Sequence, residues 1–236
     1  MRKRILALAL ALIMTIGVFC VPALAEGLQG GGWAMNDLNE ADELGLVPDV
    51  FRELDLTKDI TRVQFAAIVV TLYENLTGVE IAELKLMPFS DTEDEYAIKA
   101  FSAGLMRGDD NGNFNPDALL TRQEAAVALT RVVKSIYIEG WTFEADRNGD
   151  YILNFEQPDD FIDDADIASW AVESVYFMAT YEVLQGFEGN FNPLKNAEIQ
   201  EAIIIAKRIV TNFEEVEELD YSMKADTGDI AVPTPR

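Results

Sequence analysis

Phe114-Asn115-Pro116-Asp117-Ala118-Leu119-Leu120-Thr121-Arg122-Gln123-Glu124-Ala125-Ala126 reads as a turn followed by a helix start. Thr121 and Glu124 have the spacing of a capping box, in which each side chain satisfies the other's backbone amide. Apolar residues then recur at Ala125, Ala128, Leu129, Val132, Val133 and Ile136, a helical period with one buried face. The same design occurs twice more. Gly112-Asn113-Phe114-Asn115-Pro116 returns unchanged as Gly189-Asn190-Phe191-Asn192-Pro193, and Thr61-Arg62 precedes an apolar-periodic run as Thr121-Arg122 does. Glu198 aligns with Thr121, so the motif recurs at intervals of 60 and 77 residues. Repetition of a helical unit that cannot bury its own stripe implies several units packed together.

Each unit has the same order. A short helix is expected at 33–44, 94–103 and 169–183, with Gly45 and Gly104 as left-handed stops after the first two. A turn-rich loop follows, then a long helix at 61–76, 121–138 and 198–213. Trp141, Phe143, Tyr151, Leu153 and Phe155 lie between the second and third units, in an arrangement that predicts a short hairpin turning at Asn148-Gly149. The expected organisation is a signal peptide at 1–25, a linker at 26–32, and units at 33–78, 86–138 and 161–213. The insertion falls at 139–160 and an acidic, disordered tail at 214–236.

Composition narrows the chemistry. Arg2, Lys3 and Arg4 precede an apolar run to Val21, and Ala23-Leu24-Ala25 supplies small residues for cleavage, the pattern of a secretory signal. The chain has one cysteine, Cys20, inside that segment, and no histidine. The mature chain therefore lacks disulfides, thiol chemistry and the commonest general base. Net charge is −24, or −27 once the three basic residues of the signal are removed, which opposes nucleic acid and anionic membranes at long range. No nucleophile elbow or phosphate-cradling glycine loop is present, and abundant carboxylates in so acidic a chain say nothing about hydrolysis. No enzyme is expected.

Thr61-Arg62, Thr121-Arg122, the Phe89-Ser90-Asp91 and Phe161-Ile162-Asp163 openings, Trp33-Ala34, Trp170-Ala171 and the two Gly-Asn-Phe-Asn-Pro loops together resemble S-layer homology repeats. The resemblance spans 33–213. It implies an all-α fold, with three helix–loop–helix repeats closing into a pseudo-threefold domain with grooves between them. It also implies non-covalent attachment to acidic secondary cell-wall polysaccharide, often carrying pyruvate ketals, on a bacterial surface. The third repeat is degenerate: Glu198-Ile199 stands where Thr-Arg is expected, leaving one or two working grooves. The second lacks the tryptophan before its first helix, with Tyr96 nearby, and the first lacks the Phe-x-Asp opening and the glycine-rich loop.

Arg62 and Arg122 sit one residue inside helix N-termini, where a cation opposes the helix dipole by up to about 1 kcal/mol. Two compensations are open. The guanidinium either bonds carboxylates or backbone carbonyls of a neighbouring repeat, or it presents a planar fork to a sugar carboxylate beside anion-favouring helix amides. Trp33 and Trp170 begin amphipathic helices, a place more often given to core residues than to sugar-stacking platforms. Asp91 and Asp163 cap turns; under the resemblance they bond sugar hydroxyls or orient the arginines. Gly108 and Gly186 permit unusual backbone conformations, and by resemblance keep the groove open.

Calcium is the competing class of ligand. Asp146, Asn148, Asp150 and Leu153 match positions 1, 3, 5 and 8 of an EF-hand loop, but Tyr151 replaces the turn glycine and Gln157 the final glutamate. No cofactor is expected beyond divalent cations associating with the acidic surface. A surface protein docking on the third repeat and the insertion is the alternative partner.

Overall fold

A computed structural model describes residues 27–82, 84 and 87–223. The signal segment and the tail beyond Met223 lie outside the described residues. Among the described residues, seven α-helices and one two-stranded sheet follow in order. They are α1 (Met35–Glu43), α2 (Arg62–Thr77), α3 (Glu95–Ser102), α4 (Arg122–Tyr137), α5 (Phe143–Arg147), β1 (Tyr151–Leu153), α6 (Val172–Thr180), α7 (Ile199–Asn212) and β2 (Tyr221–Met223). The fold is predominantly α-helical, as expected from the periodicity.

The long helices α2, α4 and α7 each start with a capping box. In α7 the cap is Glu198, so the departure from Thr-Arg does not damage the helix start. Gln64 Oε1 accepts from Thr61 N at 2.9 Å, Glu124 Oε2 from Thr121 N at 2.9 Å, and Glu201 Oε2 from Glu198 N at 3.0 Å.

The next two amides of each long helix are satisfied by a different helix pair. Arg62 N and Val63 N donate to Ala118 O and Pro116 O; Arg122 N and Gln123 N donate to Lys195 O and Pro193 O. Ile199 N and Gln200 N donate to Lys58 O and Leu56 O. One residue upstream the strand-like connectors close a cycle. Ile60 N donates to Ala197 O (2.8 Å), Ala197 N to Leu120 O (3.0 Å), and Leu120 N to Ile60 O (3.1 Å). Helix starts that would otherwise leave amides unpaired are thus tied to one another.

Side chains follow the same rotation. Each short helix packs on the long helix of another pair: α3 on α2, α6 on α4 and α1 on α7, while α2 also meets α4 and α7. Ala34 and Ala171 are the buried N-caps of α1 and α6, whereas Asp94 caps α3 and the buried Ala97 lies three residues further on, so Tyr96 does not share the helix position of Trp33 and Trp170. Residues 27–32 form more than a linker, since Leu28 is buried and Gly31 N donates to Gln200 Oε1 at 2.7 Å.

The insertion differs from expectation. No local hairpin turns at Asn148-Gly149; that stretch ends the short helix α5, and β1 pairs antiparallel with β2, seventy residues on in the supposed disordered tail. Leu219 is buried there too. Beneath β1 lies Lys134, whose side chain is 4% exposed. Its Nζ donates to Asp146 Oδ1, Tyr151 O and Glu173 Oε2, each at 2.9 Å, and Glu173 Oε1 accepts from Leu153 N. Asp146, the first residue of the EF-hand-like loop, is therefore the counter-ion of a buried lysine. Tyr151 and Leu153 are buried and Phe155 packs edge-on to Phe177 at 5.6 Å, so the insertion spends these apolar side chains on the core.

Replacing Lys134 by methionine leaves Asp146 and Glu173 without their cation. We expect a loss of about 3 kcal/mol in denaturant unfolding, with amide exchange accelerated first in 151–153 and 221–223.

Candidate functional site

The cyclic packing creates two grooves of common design. In the first, Arg62 of α2 reaches the loop of the second pair: Nε donates to Phe114 O (2.9 Å) and an Nη to Arg107 O (3.0 Å). In the second, Arg122 of α4 makes the same bonds to Phe191 O and Gln185 O, both at 2.9 Å. Each guanidinium also lies over the phenylalanine ring of that loop, 5.2 Å from the Phe114 centroid and 5.0 Å from that of Phe191. Two hydrogen bonds from a charged group contribute about 1.5–3 kcal/mol each, which outweighs the charge–dipole penalty at the helix start. The carbonyl-bonded arrangement weighed from the sequence is the one present.

Asp91 and Asp163 stand behind the arginines. Asp91 accepts from Phe114 N (2.8 Å) and Asn115 N (2.7 Å); Asp163 accepts from Phe191 N and Asn192 N, both at 2.7 Å. Two successive amides aim at one carboxylate because Asn115 and Asn192 adopt left-handed backbone, φ 59° and 57°. The aspartates fix the phenylalanine peptide, and its carbonyl fixes the arginine.

Gly108 and Gly186 are required for a reason other than the one expected. Neither has a positive φ. A Cβ at Gly108 would lie 2.6 Å from Asn113 O and 2.9 Å from the Phe89 ring; at Gly186 it would lie 2.8 Å from both Asn190 O and the Phe161 ring. Close approach excludes a side chain there.

Trp33 and Trp170 are not core residues: they are 64% and 58% exposed. Each lines a groove built by the other two pairs. The Arg62 groove is lined by Met106, Arg107, Glu124, Arg131 and Trp170. The Arg122 groove is lined by Gln185, Phe187, Lys195, Glu201, Arg208 and Trp33. All three helix pairs therefore contribute to each groove. At the third corner Ile199 is buried where the arginine would stand.

Two further cations escaped the sequence reading. Arg131 and Arg208 occupy equivalent positions on α4 and α7, two turns after Glu124 and Glu201, and both line the grooves. Their recurrence seven residues after each glutamate was the available signal; Thr71 holds that position in α2. Burial draws the guanidiniums of Arg122 and Arg131 below the ordinary arginine pKa, partly offset by Glu201 and by Asp146 respectively. A desolvated cation gains from a bound anion. The helix amides, by contrast, are not available as ligands, because the neighbouring loops already accept from them.

Gly186→Ala should destabilise by about 1–3 kcal/mol, because backbone rather than a flexible side chain blocks the new methyl. Gly32→Ala, with nothing within 4 Å, should stay within about 0.5 kcal/mol. Denaturant midpoints of the two variants check this.

Residues 88–126 and 161–197 match the family model of the S-layer homology domain. No curated protein matches the chain. The two matched segments contain the Phe-x-Asp openings, both Gly-Asn-Phe-Asn-Pro loops and the short helices between them. Such domains are binding modules that anchor proteins to cell-wall polysaccharide at the bacterial surface, and two segments of this chain, 88–126 and 161–197, are similar to them.

Proposed function

We propose that the protein is a non-enzymatic, secreted module that attaches to acidic secondary wall polysaccharide through the Arg62 and Arg122 grooves. The carrying observation is that a chain of net charge −24 places two or more arginines in each of two grooves of common design, beside an exposed tryptophan. Arg62 and Arg131 serve one groove, Arg122 and Arg208 the other. The arginines offer planar donors to a carboxylate, and the indoles a face for a sugar ring. A pyruvate ketal suits this pairing, because it adds a carboxylate to a sugar while leaving one apolar ring face. Asp91, Asp163, Gly108 and Gly186 act indirectly, by holding the loops that aim the arginines. The first helix pair is a third, diverged repeat in this reading, supported by the equivalent helix-start bonds at Ile199 and Gln200.

Net charge repels the polymer beyond a Debye length, about 8 Å at physiological salt, so attachment rests on contacts inside the grooves. A surface-protein partner docking on the insertion has less support, since Tyr151, Leu153 and Phe155 face the core.

The mature protein should co-sediment with wall sacculi and be left in solution by sacculi stripped of secondary polymer. Equal sedimentation with both overturns the glycan reading. Arg208→Gln and Arg131→Gln remove groove cations that make no ion pair within 4 Å among the described residues. Loss of one charged hydrogen bond should weaken attachment roughly tenfold in each variant, with unfolding midpoints little changed.

A further inference from the structure

The two grooves share a design but differ in three ways. The first is space. The Arg122 groove encloses about 520 Å³ and the Arg62 groove about 180 Å³; ligand clefts commonly span about 300–1,000 Å³. The insertion holds two of the arginines that line the smaller groove. Phe143 stacks 3.9 Å from the Arg107 guanidinium and 4.9 Å from that of Arg131, and Glu144 ties Arg107 down at 2.9 Å. Gln185 stands at the place of Arg107 in the larger groove.

The second difference is charge. In the small groove Glu124 lies 3.6 Å from Arg62. In the large one the equivalent Glu201 turns to Lys195 at 3.4 Å, and among the described residues no carboxylate lies within 4 Å of Arg122 or Arg208. The switch traces to one position. Lys195 and Ala118 are equivalent, each offering its carbonyl to the first amide of a long helix, but only the lysine can engage the glutamate.

The third is aromatic surface. Phe187, 73% exposed, lines the large groove together with Trp33. At the same step after the conserved-geometry glycine, the small groove has Asp109, whose carboxylate is occupied by Asn111 N, Asn113 N and Asn115 Nδ2.

We infer that the Arg122 groove is the principal site, taking a single anionic pyranose unit with Phe187 as a second stacking surface opposite the role of Trp33, and with Lys195 as the positioning residue that keeps Glu201 off Arg122. The Arg62 groove is a weak, secondary site. This rests on the glycan reading above and sharpens it to one saccharide residue bearing one carboxylate, bound at one dominant place.

The chain has three tryptophans, Trp33, Trp141 and Trp170, so three indole N–H signals report on the grooves separately. The mature protein is titrated with a methyl glucopyranoside 4,6-pyruvate ketal, and with neutral methyl glucopyranoside as control, after assigning the signals with Trp33→Phe and Trp170→Phe. The ketal should move the Trp33 signal at concentrations at least about fivefold lower than the Trp170 signal, and the neutral glycoside should move neither. Phe187→Ala should weaken the Trp33 midpoint about fivefold, and Lys195→Ala should weaken it while leaving that of Trp170 unchanged. Both side chains are exposed enough for the variants to fold. Equal midpoints at Trp33 and Trp170, or a Trp33 midpoint indifferent to both substitutions, overturn the inference and leave the glycan reading standing. Shifts at neither tryptophan in the wild-type protein overturn the glycan reading itself.

Discussion

The first amides of a helix have no partner within it, and in this protein that deficit is met between helix pairs. Six amides at the starts of α2, α4 and α7 donate to turn carbonyls of another pair, and the residues just upstream close a ring of three main-chain bonds. No pair satisfies the first two amides of its own long helix. The connectors must therefore meet before any of the three helix starts is complete, and the loops supplying the carbonyls are brought to fixed places beside those starts. Their position then determines everything on the outer face: where Phe114 O and Phe191 O lie, where the arginines reach, and which tryptophan overhangs which groove.

This arrangement explains why the residues that tie the pairs together also line the grooves. Arg62 and Arg122 bond to carbonyls and so tie one pair to the next, yet each still lines a groove with one edge of its guanidinium uncommitted to those carbonyls. Asp91 and Asp163 never touch the groove surface but fix the peptide whose carbonyl aims the arginine. The loss of the arginine at Ile199 then has a local meaning. The main-chain ring survives there, capped by Glu198, while the cation is gone, so that corner keeps its fold and gives up its groove chemistry.

The starts of the long helices were legible in the sequence because a capping box and a helical stripe are local signals. α2, α4 and α7 fall within about a residue of their expected bounds. The groove arginines and glycines were legible through the repeat, although the glycines are needed for close approach rather than for φ. What could not be read was set by distant partners. Trp33 and Trp170 look like core residues on their own helices, and only the packing of another pair shows that they overhang a groove. β1 finds β2 in an acidic stretch with no strand pattern, and Lys134 looks like a surface lysine because its counter-ions lie 12 and 39 residues ahead. Arg131 and Arg208 were accessible to closer comparison of the repeats.

The most direct test is a crystal structure of the mature protein with the pyruvate-ketal glycoside bound. The account requires the ligand carboxylate within hydrogen-bonding distance, about 2.7–3.0 Å, of Arg122 or Arg208, the ring between Trp33 and Phe187, and the bonds from Arg122 to Phe191 O and Gln185 O intact. A ligand held elsewhere, or one that binds only after Arg122 leaves those carbonyls, would contradict it.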